Sequence, residues 1–549
     1  YVVNMNTIND IYRDASGIFW LASNGKGLNW FSLNKKFKYY PRIPTAKHDY
    51  LNNSIRAIYE DTAENIWVGS YTGLDYYDPR NKLVKGYEYD TAGPKYYNKN
   101  VYAILEGKSG RFWIGTEGGG FFRFYRENGL TKQYSAKDYE GFSSNFVYDL
   151  KQGPQNNIWI ATYQGLTKFN PDKTTFKTYL DHFPNTSLRK INYIEKDKRN
   201  RFWLATDGGF IIFNPKTKGF KVYDSMTNDS TGLIARRVNT FNQVSEEVMW
   251  MGTSGGGAAR IILDDQMNPV EFEHFTRADG LPNNVVYGIL RDKKGKLWMS
   301  TNEGLVSLNP NNEEIGVYKE EDGLQSNEFN AGALCKTENG EMFFGGVDGM
   351  NSFYPRNIKK NRHIPPIVLT GFKKSGRSVK FERAFSDMDE ITIDYDENVF
   401  SVEFAALDYH DPQSNKYAYK LKGFRDEWVN IGNQRQLTFT NLDPGKYTLI
   451  IRGSNNDGVW NEAGRSIKLN IVPPFWRTSW FYILAVVILI GGIGSFVYWR
   501  ISAARMRQTQ LKRLVEQRTQ ELQKKNEELE QAKAEVEQAA QAKSDFLAS

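Results

Sequence analysis

The sequence predicts a mainly β protein: a seven-bladed β-propeller, then an immunoglobulin-like β-sandwich, one transmembrane helix and a cytoplasmic coiled-coil helix. Three observations predict this order. A tryptophan-centred motif recurs about every 46 residues through the first 355 positions. A stretch of alternating strands without that rhythm follows, from Ile364 to Pro473. Then Trp480 to Trp499, twenty residues, contains neither a charge nor a proline. Among 549 residues, 47 glycines and 14% aromatics suit short strands joined by tight turns. The single cysteine, Cys335, excludes an intrachain disulfide.

The repeat is clearest in DASGIFWLASNGKGLNWF (14–31), DTAENIWVGSYTGLDYYDP (61–79) and DKKGKLWMSTNEGLVSLNP (292–310). Its tryptophan falls at Trp20, Trp67, Trp113, Trp159, Trp203, Trp250 and Trp298, and Phe343 takes the place in an eighth copy. Each unit reads as an alternating strand, a polar turn, an aromatic strand, a Gly-rich turn and two further strands. Four short antiparallel strands at this period make a propeller blade, with the tryptophan packed between neighbouring blades. The eighth copy lacks its outer strand, because PRNIKKNRHIPP follows it at once. FKYYPRI (37–43) is able to supply that strand and close residues 36–356 as one seven-bladed ring. Residues 1–35 are then the last strands of a preceding, truncated propeller; a single eight-bladed ring is the alternative. The sequence opens at Tyr1 without Met or a signal peptide, so a fragment of a longer protein is expected.

The Gly-rich turns fall at corresponding positions on one face of the ring. They present Tyr71, Glu117, Tyr163, Asp207, Ser254, Asn302 and Asp348, and the loops between blades add Arg189, Lys190, Arg236 and Arg237. Aromatic faces beside carboxylates, amides and guanidinium groups suit a polyhydroxylated ligand. The candidate ligand-binding set is therefore Tyr71, Glu117, Tyr163, Asp207, Arg236, Arg237, Asn302 and Asp348. No catalytic residue is expected. Asp14–Gly17 and Asp292–Gly295 miss the sialidase-type Asp-box spacing, nothing resembles a nucleophile elbow, and the histidines lack metal-ligand spacing.

Residues 363–473 read as the sandwich, with strands at 401–407, 416–424, 436–442, 446–455 and 466–472. DPGKY and NNDGVW provide the turn chemistry. At 1.5 Å per residue, residues 480–499 can cross a hydrocarbon core of about 30 Å, and Trp480, Tyr482, Tyr498 and Trp499 flank it as interfacial aromatics. Arg500, Arg505, Arg507, Lys512 and Arg513 then set the C-terminal side as cytoplasmic. Residues 500–542 carry Val515, Leu522, Leu529 and Val536 at heptad spacing, beside a seam that includes Arg518 and Lys525. This pattern predicts a weak parallel coiled coil and a homodimer.

The repeat core N/D-x-x-G-x-[IFL]-W, the segments YAYKLKGF, NLDPGKYTL and NNDGVW, the helix LVEQRTQELQKKNEEL and the closing KSDFLAS together resemble the propeller-bearing hybrid two-component sensor histidine kinases. The resemblance implies a membrane-proximal Y_Y_Y domain and, at 543–549, the start of a kinase dimerisation domain. It implies a periplasmic sensor, in the inner membrane, that detects oligosaccharides and controls polysaccharide-utilisation genes. ATP and Mg would belong to a kinase domain; with the phosphoacceptor His and ATP-binding domain missing, no cofactor, no phosphotransfer and no nucleic-acid contact are expected of this chain. A membrane-tethered adhesion platform and a tethered propeller enzyme are the other readings.

Overall fold

The computed structural model describes residues 7–25, 27–32, 36–41, 54–71, 73–78, 83–87, 100–126, 129–224, 232–397 and 399–547. It divides into two compact units. The first holds residues 1–365 with 408–415 and 454–460; the second holds 366–407, 416–453 and 461–549.

In the first unit the described residues form seven four-stranded antiparallel sheets of propeller type. Six run in simple chain order, with innermost strands Ile55–Glu60, Val101–Glu106, Val147–Gln152, Ile191–Lys196, Arg237–Gln243 and Val286–Arg291. The seventh contains Phe329–Lys336, Met342–Gly346 and Gly349–Phe353, and its outer strand is Lys38–Tyr40. Met350 pairs with Tyr40, Asn351 with Tyr39 and Ser352 with Lys38. The strand read at 37–43 thus joins the sheet of Phe343; Arg42 and Ile43 lie outside the described residues.

Tryptophans join one sheet to the next. Trp67 sits 4.5 Å from the ring of Phe112 in the second sheet. Trp113 meets Phe169 of the third at 5.2 Å, Trp159 meets Phe202 of the fourth at 5.3 Å, and Trp203 meets Phe241 of the fifth at 5.4 Å. Trp250 packs with Val286 and Leu297 of the sixth, and Trp298 lies 4.6 Å from Phe353 of the seventh. The seventh packs back on the first through Phe343, Met350 and Tyr40 against Ile55, Ile66 and Val68. Losing one such side chain to alanine typically costs about 3–5 kcal/mol, so these rings carry much of the stability.

The small residue two places after each tryptophan has a steric cause. A Cβ on Gly69 would come within 2.5 Å of Val101, and one on Gly115 within 2.4 Å of Val147. Side chains there would push the sheets apart.

An aspartate six residues before several tryptophans fixes the indole. Asp14, Asp61, Asp197 and Asp292 accept from Nε1 of Trp20, Trp67, Trp203 and Trp298 at 2.8, 2.8, 3.2 and 3.3 Å. The other carboxylate oxygen accepts the backbone N–H groups of the turn, such as Ala63 and Asn65 for Asp61. One side chain thus closes the turn and orients the wedge. Where the position is Gly153 or Val244, the buried Nε1 of Trp159 or Trp250 has no hydrogen-bond partner among the described residues.

A separate three-stranded sheet, Ile8–Arg13, Ile18–Ser23 and Gly27–Ser32, precedes the seven. Trp20 there packs edge-on to Tyr409 at 4.9 Å. A polar knot also sits in this unit. Asn361 Nδ2 donates to Asp408 at 2.9 Å and to Asn456 at 3.1 Å, while Asn455 Nδ2 donates to the carbonyls of Asn361 and His363. Burial drives the Asp408 carboxyl upward, but hydrogen bonds from His410 and Asn361 outweigh it and hold the group below its ordinary value.

The second unit is a two-sheet sandwich. One sheet has the order Arg377–Ser378, Ile367–Lys374, Val399–Ala406, Gln436–Thr440; the other runs Glu390–Ile393, Trp460–Ile471, Gly445–Ser454, Tyr417–Lys422, Arg425–Gly432. Phe372, Phe404, Tyr417, Leu449 and Ile451 fill the space between them. The Tyr417 hydroxyl accepts the N–H of Ala406 at 3.1 Å, and Tyr447 donates to the carbonyl of Asp443 at 2.9 Å. The strands Ile367–Lys374, Glu390–Ile393 and Arg425–Gly432 add to those read from sequence.

One helix, Ser479–Leu547, contains both the apolar run and the charged segment without a break. It is long and apolar enough to cross a membrane, and that window is wholly unburied in the chain.

The aspartate clasp gives a direct test. Asp197, fully buried, also pairs with Arg201 at 2.8 Å. Asp197→Ala removes the indole, guanidinium and turn bonds together and should cost about 3–5 kcal/mol in chemical denaturation. A loss below about 1 kcal/mol would refute the structural weight given to the clasp.

Candidate functional site

At one end of the seven sheets, six of the innermost strands carry a one-residue bulge near their start. In the first sheet Ile55 pairs with Ser70 and Ala57 with Gly69, which leaves Arg56 unpaired. The same skip singles out Tyr102, Tyr148, Asn192, Asn239 and Tyr287 in the next five. A bulge re-aims the side chain it carries. For Arg56, Asn192, Asn239 and Tyr287 it brings that side chain to the Gly-rich turn of its own sheet, fifteen residues later in the chain.

These pairs assemble the site. Arg56 donates from Nη2 to the Tyr71 hydroxyl, and its guanidinium lies 4.8 Å from the Tyr71 ring and 5.5 Å from that of Tyr102. Tyr102 stands 5.8 Å from Tyr148 in edge geometry. Lys190 reaches over Tyr148 at 5.4 Å and pairs with Asp207 at 3.0 Å. Asn192 donates to Asp207 at 2.8 Å, and Arg237 approaches the same carboxylate at 3.4 Å. Asn239 and Ser254 exchange hydrogen bonds, and Tyr287 donates to Asn302 at 3.1 Å. A continuous arc of rings and charges thus runs from the first sheet to the fifth. Burial, then the carboxylates of Glu117 and Asp207, push the Tyr148 phenol up to about 12, so it stays a neutral donor.

The sequence-derived residues fall into this arrangement unevenly. Tyr71, Asp207, Arg237 and Asn302 take part in the pairs just described. Glu117 accepts from Asn100 at 3.0 Å, and Tyr163 is exposed beside Phe146, ring to ring at 6.0 Å. Arg236 is exposed just before the strand Arg237–Gln243. Asp348 instead accepts from the Tyr39 hydroxyl of the closing strand at 3.0 Å, while its N–H donates to Gln325. Arg189 turns away to the carbonyl of Phe183 at 2.6 Å. The residues that sequence reading missed are the bulge positions. Their signal is faint: the second or third residue of an alternating strand, fifteen residues before the turn position.

Two family models match the chain. The description "Two component regulator propeller" covers residues 49–72, 98–118, 141–164 and 280–303, and "Y_Y_Y domain" covers 408–472. The chain thus carries repeats that match the two component regulator propeller model and a segment that matches the Y_Y_Y model. A relative named Histidine kinase P4, from Formosa agariphila, is 25% identical to this chain over 466 residues. The match takes in 74% of the chain and only 34% of the relative's length. Among solved structures, the extracellular domain of a one component system of B. thetaiotaomicron is 21% identical, over 86% of this chain and 62% of that one, with a TM-score of 0.47. The extracellular domain of a hybrid two component system of the same organism is 24% identical, over 85% and 68%, with a TM-score of 0.38.

Deeper along the innermost strands of the propeller-type sheets lies a second polar group. Asp149 accepts the N–H groups of Ile194 and Leu150 at 2.8 and 2.7 Å. Tyr193 donates to Glu195 at 3.2 Å, and Lys151 lies 3.6 Å from that carboxylate. Burial is the largest influence on Asp149 and raises its pKa from 3.8 to about 6, against the opposing pull of Lys151 and the two N–H groups. Among the described residues no cluster of His, Cys, Asp and Glu could hold a metal ion.

The raised pKa of Asp149 has a definite sign in stability. Between 3.8 and about 6 the folded chain binds more protons than the unfolded one, so this group's contribution falls as pH rises through that window and is flat above it. Asp149→Asn should remove that decline. Denaturation midpoints at pH 4, 5, 6 and 7 check it, and parallel curves for parent and variant would contradict it.

Proposed function

We propose that this chain is the sensing and membrane-crossing part of a two-component histidine kinase, and that its propeller binds oligosaccharides outside the cytoplasmic membrane. In this reading residues 36–356 form one closed seven-bladed ring, residues 1–35 belong to a preceding propeller, and the domain at 363–473 passes the signal to the span at 480–499. The signalling helix at 500–542 continues in the cytoplasm toward the kinase dimerisation domain, which begins at 543–549. The kinase's ATP and Mg bind beyond this chain, and the output is control of genes for polysaccharide use.

The observation that carries the reading is the arc of bulge and turn residues. Tyr71, Tyr102, Tyr148 and Tyr163 offer ring faces, Asn192 and Asn302 offer amides, and Arg56, Lys190 and Arg237 offer cations beside Glu117 and Asp207. Sugars take that combination: apolar C–H faces stack on aromatics while hydroxyls bond to amides and charged groups. The buried Nε of Arg56 has no hydrogen-bond partner among the described residues, a donor left for a ligand.

A ligand moves such an equilibrium only by its differential affinity for two states. Dimer helices are the element it would bias. Val515, Leu522, Leu529 and Val536 are 60, 61, 56 and 69% exposed in the single chain, a stripe that a second copy would cover. Arg518 and Lys525 in the adjoining seam oppose pairing and keep it weak.

Two experiments test the reading. Calorimetric titration with an oligosaccharide panel should give saturable binding without hydrolysis, and Tyr163→Ala or Arg237→Ala should weaken it about tenfold or more while leaving the fold intact. Turnover of the sugars would indicate an enzyme, and unchanged affinity in both variants would move the site. Separately, Leu522→Cys and Leu529→Cys should cross-link between chains in membranes more efficiently than Glu527→Cys. Uniform cross-linking along the helix would reject the parallel dimer.

A further inference from the structure

At the opposite end of the strands from the bulges, a cleft of about 350 Å3 opens beneath the sixth sheet. That volume lies within the range of small-ligand sites. Lys294 and Lys296 enter it from the turn before Leu297–Thr301, and Arg356 and Lys359 from the segment after Gly349–Phe353. Asn309 and Asn311 line a further wall, with the edges of Trp298 and Tyr318 beside them.

The charges in this cleft do not balance. Its two carboxylates are already engaged. Asp292 accepts the N–H groups of Lys294 and Lys296 at 2.8 and 2.9 Å and the indole of Trp298 at 3.3 Å. Asp457 pairs with Lys36 at 3.3 Å, which also pairs with Asp322 at 2.9 Å. Lys360, also in the lining, is held by Glu314. The side chains of Lys294, Lys296, Arg356 and Lys359 have no carboxylate within ion-pair distance among the described residues. Six cations against the four carboxylates of Asp292, Asp322, Asp457 and Glu314 leave an excess of two positive charges around one recess, and a concave, low-dielectric wall concentrates their field.

We infer that this cleft binds a small polyanion, a ligand bearing several sulfate, phosphate or carboxylate groups on a compact polar scaffold. Each oxyanion group would take charge-assisted hydrogen bonds from two of the four cations. Asn309 and Asn311 would bond to the scaffold's neutral oxygens. A bilayer surface fits less well, because the cations line a recess and not a flat, apolar-fringed face. The site is independent of the arc at the other end of the strands.

Sucrose octasulfate is a suitable probe, with sucrose and inorganic phosphate as controls, titrated against the full chain in nanodiscs of neutral lipid. Saturable binding of the octasulfate, none of sucrose, and weakening as salt is raised are expected. The double variant K294E/K359E should lose about tenfold or more in affinity, whereas K294R/K359R should retain it and Arg237→Ala should leave it unchanged. Unchanged melting curves show that the variants are folded. Absence of saturable octasulfate binding, or parent-like binding by K294E/K359E, overturns the inference. Loss of octasulfate binding in Arg237→Ala places the anion at the other end of the strands and also overturns it. Binding to phosphatidylserine vesicles without binding of the soluble probe overturns it in favour of a membrane-facing patch.

Discussion

The indole wedge between successive sheets is the constraint on which the propeller depends. A four-stranded sheet of this length has no core of its own, and stability comes only when its face meets the next one. The tryptophan fills the gap, and the small residue two places on lets the backbones close to the distance at which it fits. Asp14, Asp61, Asp197 and Asp292 add a polar anchor to an apolar wedge. Because the same carboxylate closes the turn, the turn geometry and the packing of the sheet cannot vary separately.

That coupling leaves the other end of each strand free to differ. The bulge residues change from Arg56 to Tyr102, Asn192 and Tyr287 without disturbing the sheets, because they sit outside the paired register. Conserved mechanics at one end and chemical variety at the other is what a binding scaffold requires. The arc from Arg56 to Arg237 is the product of that freedom, and its charges pack directly against its aromatic rings.

Much of this architecture is legible in the sequence because its period is long and its marker residue is rare. Trp67 and its counterparts locate the strands, and the missing outer strand after Phe353 points back to the chain's beginning. The bulges are not legible, since Arg56 or Asn192 looks like any polar residue in an alternating strand until its pairing partner is known. The aspartate clasp is visible as a letter at a fixed offset, yet its role depends on where the indole nitrogen points. Asp348 sits at the expected turn, but the hydroxyl of Tyr39 that holds it comes from the far end of the chain. In the sandwich, Glu390–Ile393 escapes notice because it is short and pairs in parallel with Lys468–Ile471 of the second unit's last strand, a non-local choice.

The closing strand also dictates an order of events during synthesis. Lys38–Tyr40 leaves the ribosome before its partner Gly349–Phe353, which follows some three hundred residues later. Until then six sheets can stack, but the seventh lacks its rim and the first lacks a neighbour. Such a late, long-range pairing is intrinsically slow and leaves two strand edges open to other chains. The finished molecule benefits from the same delay: with the latch drawn from the opposite end of the sequence, neither end of the sheet series can peel away without first undoing the other.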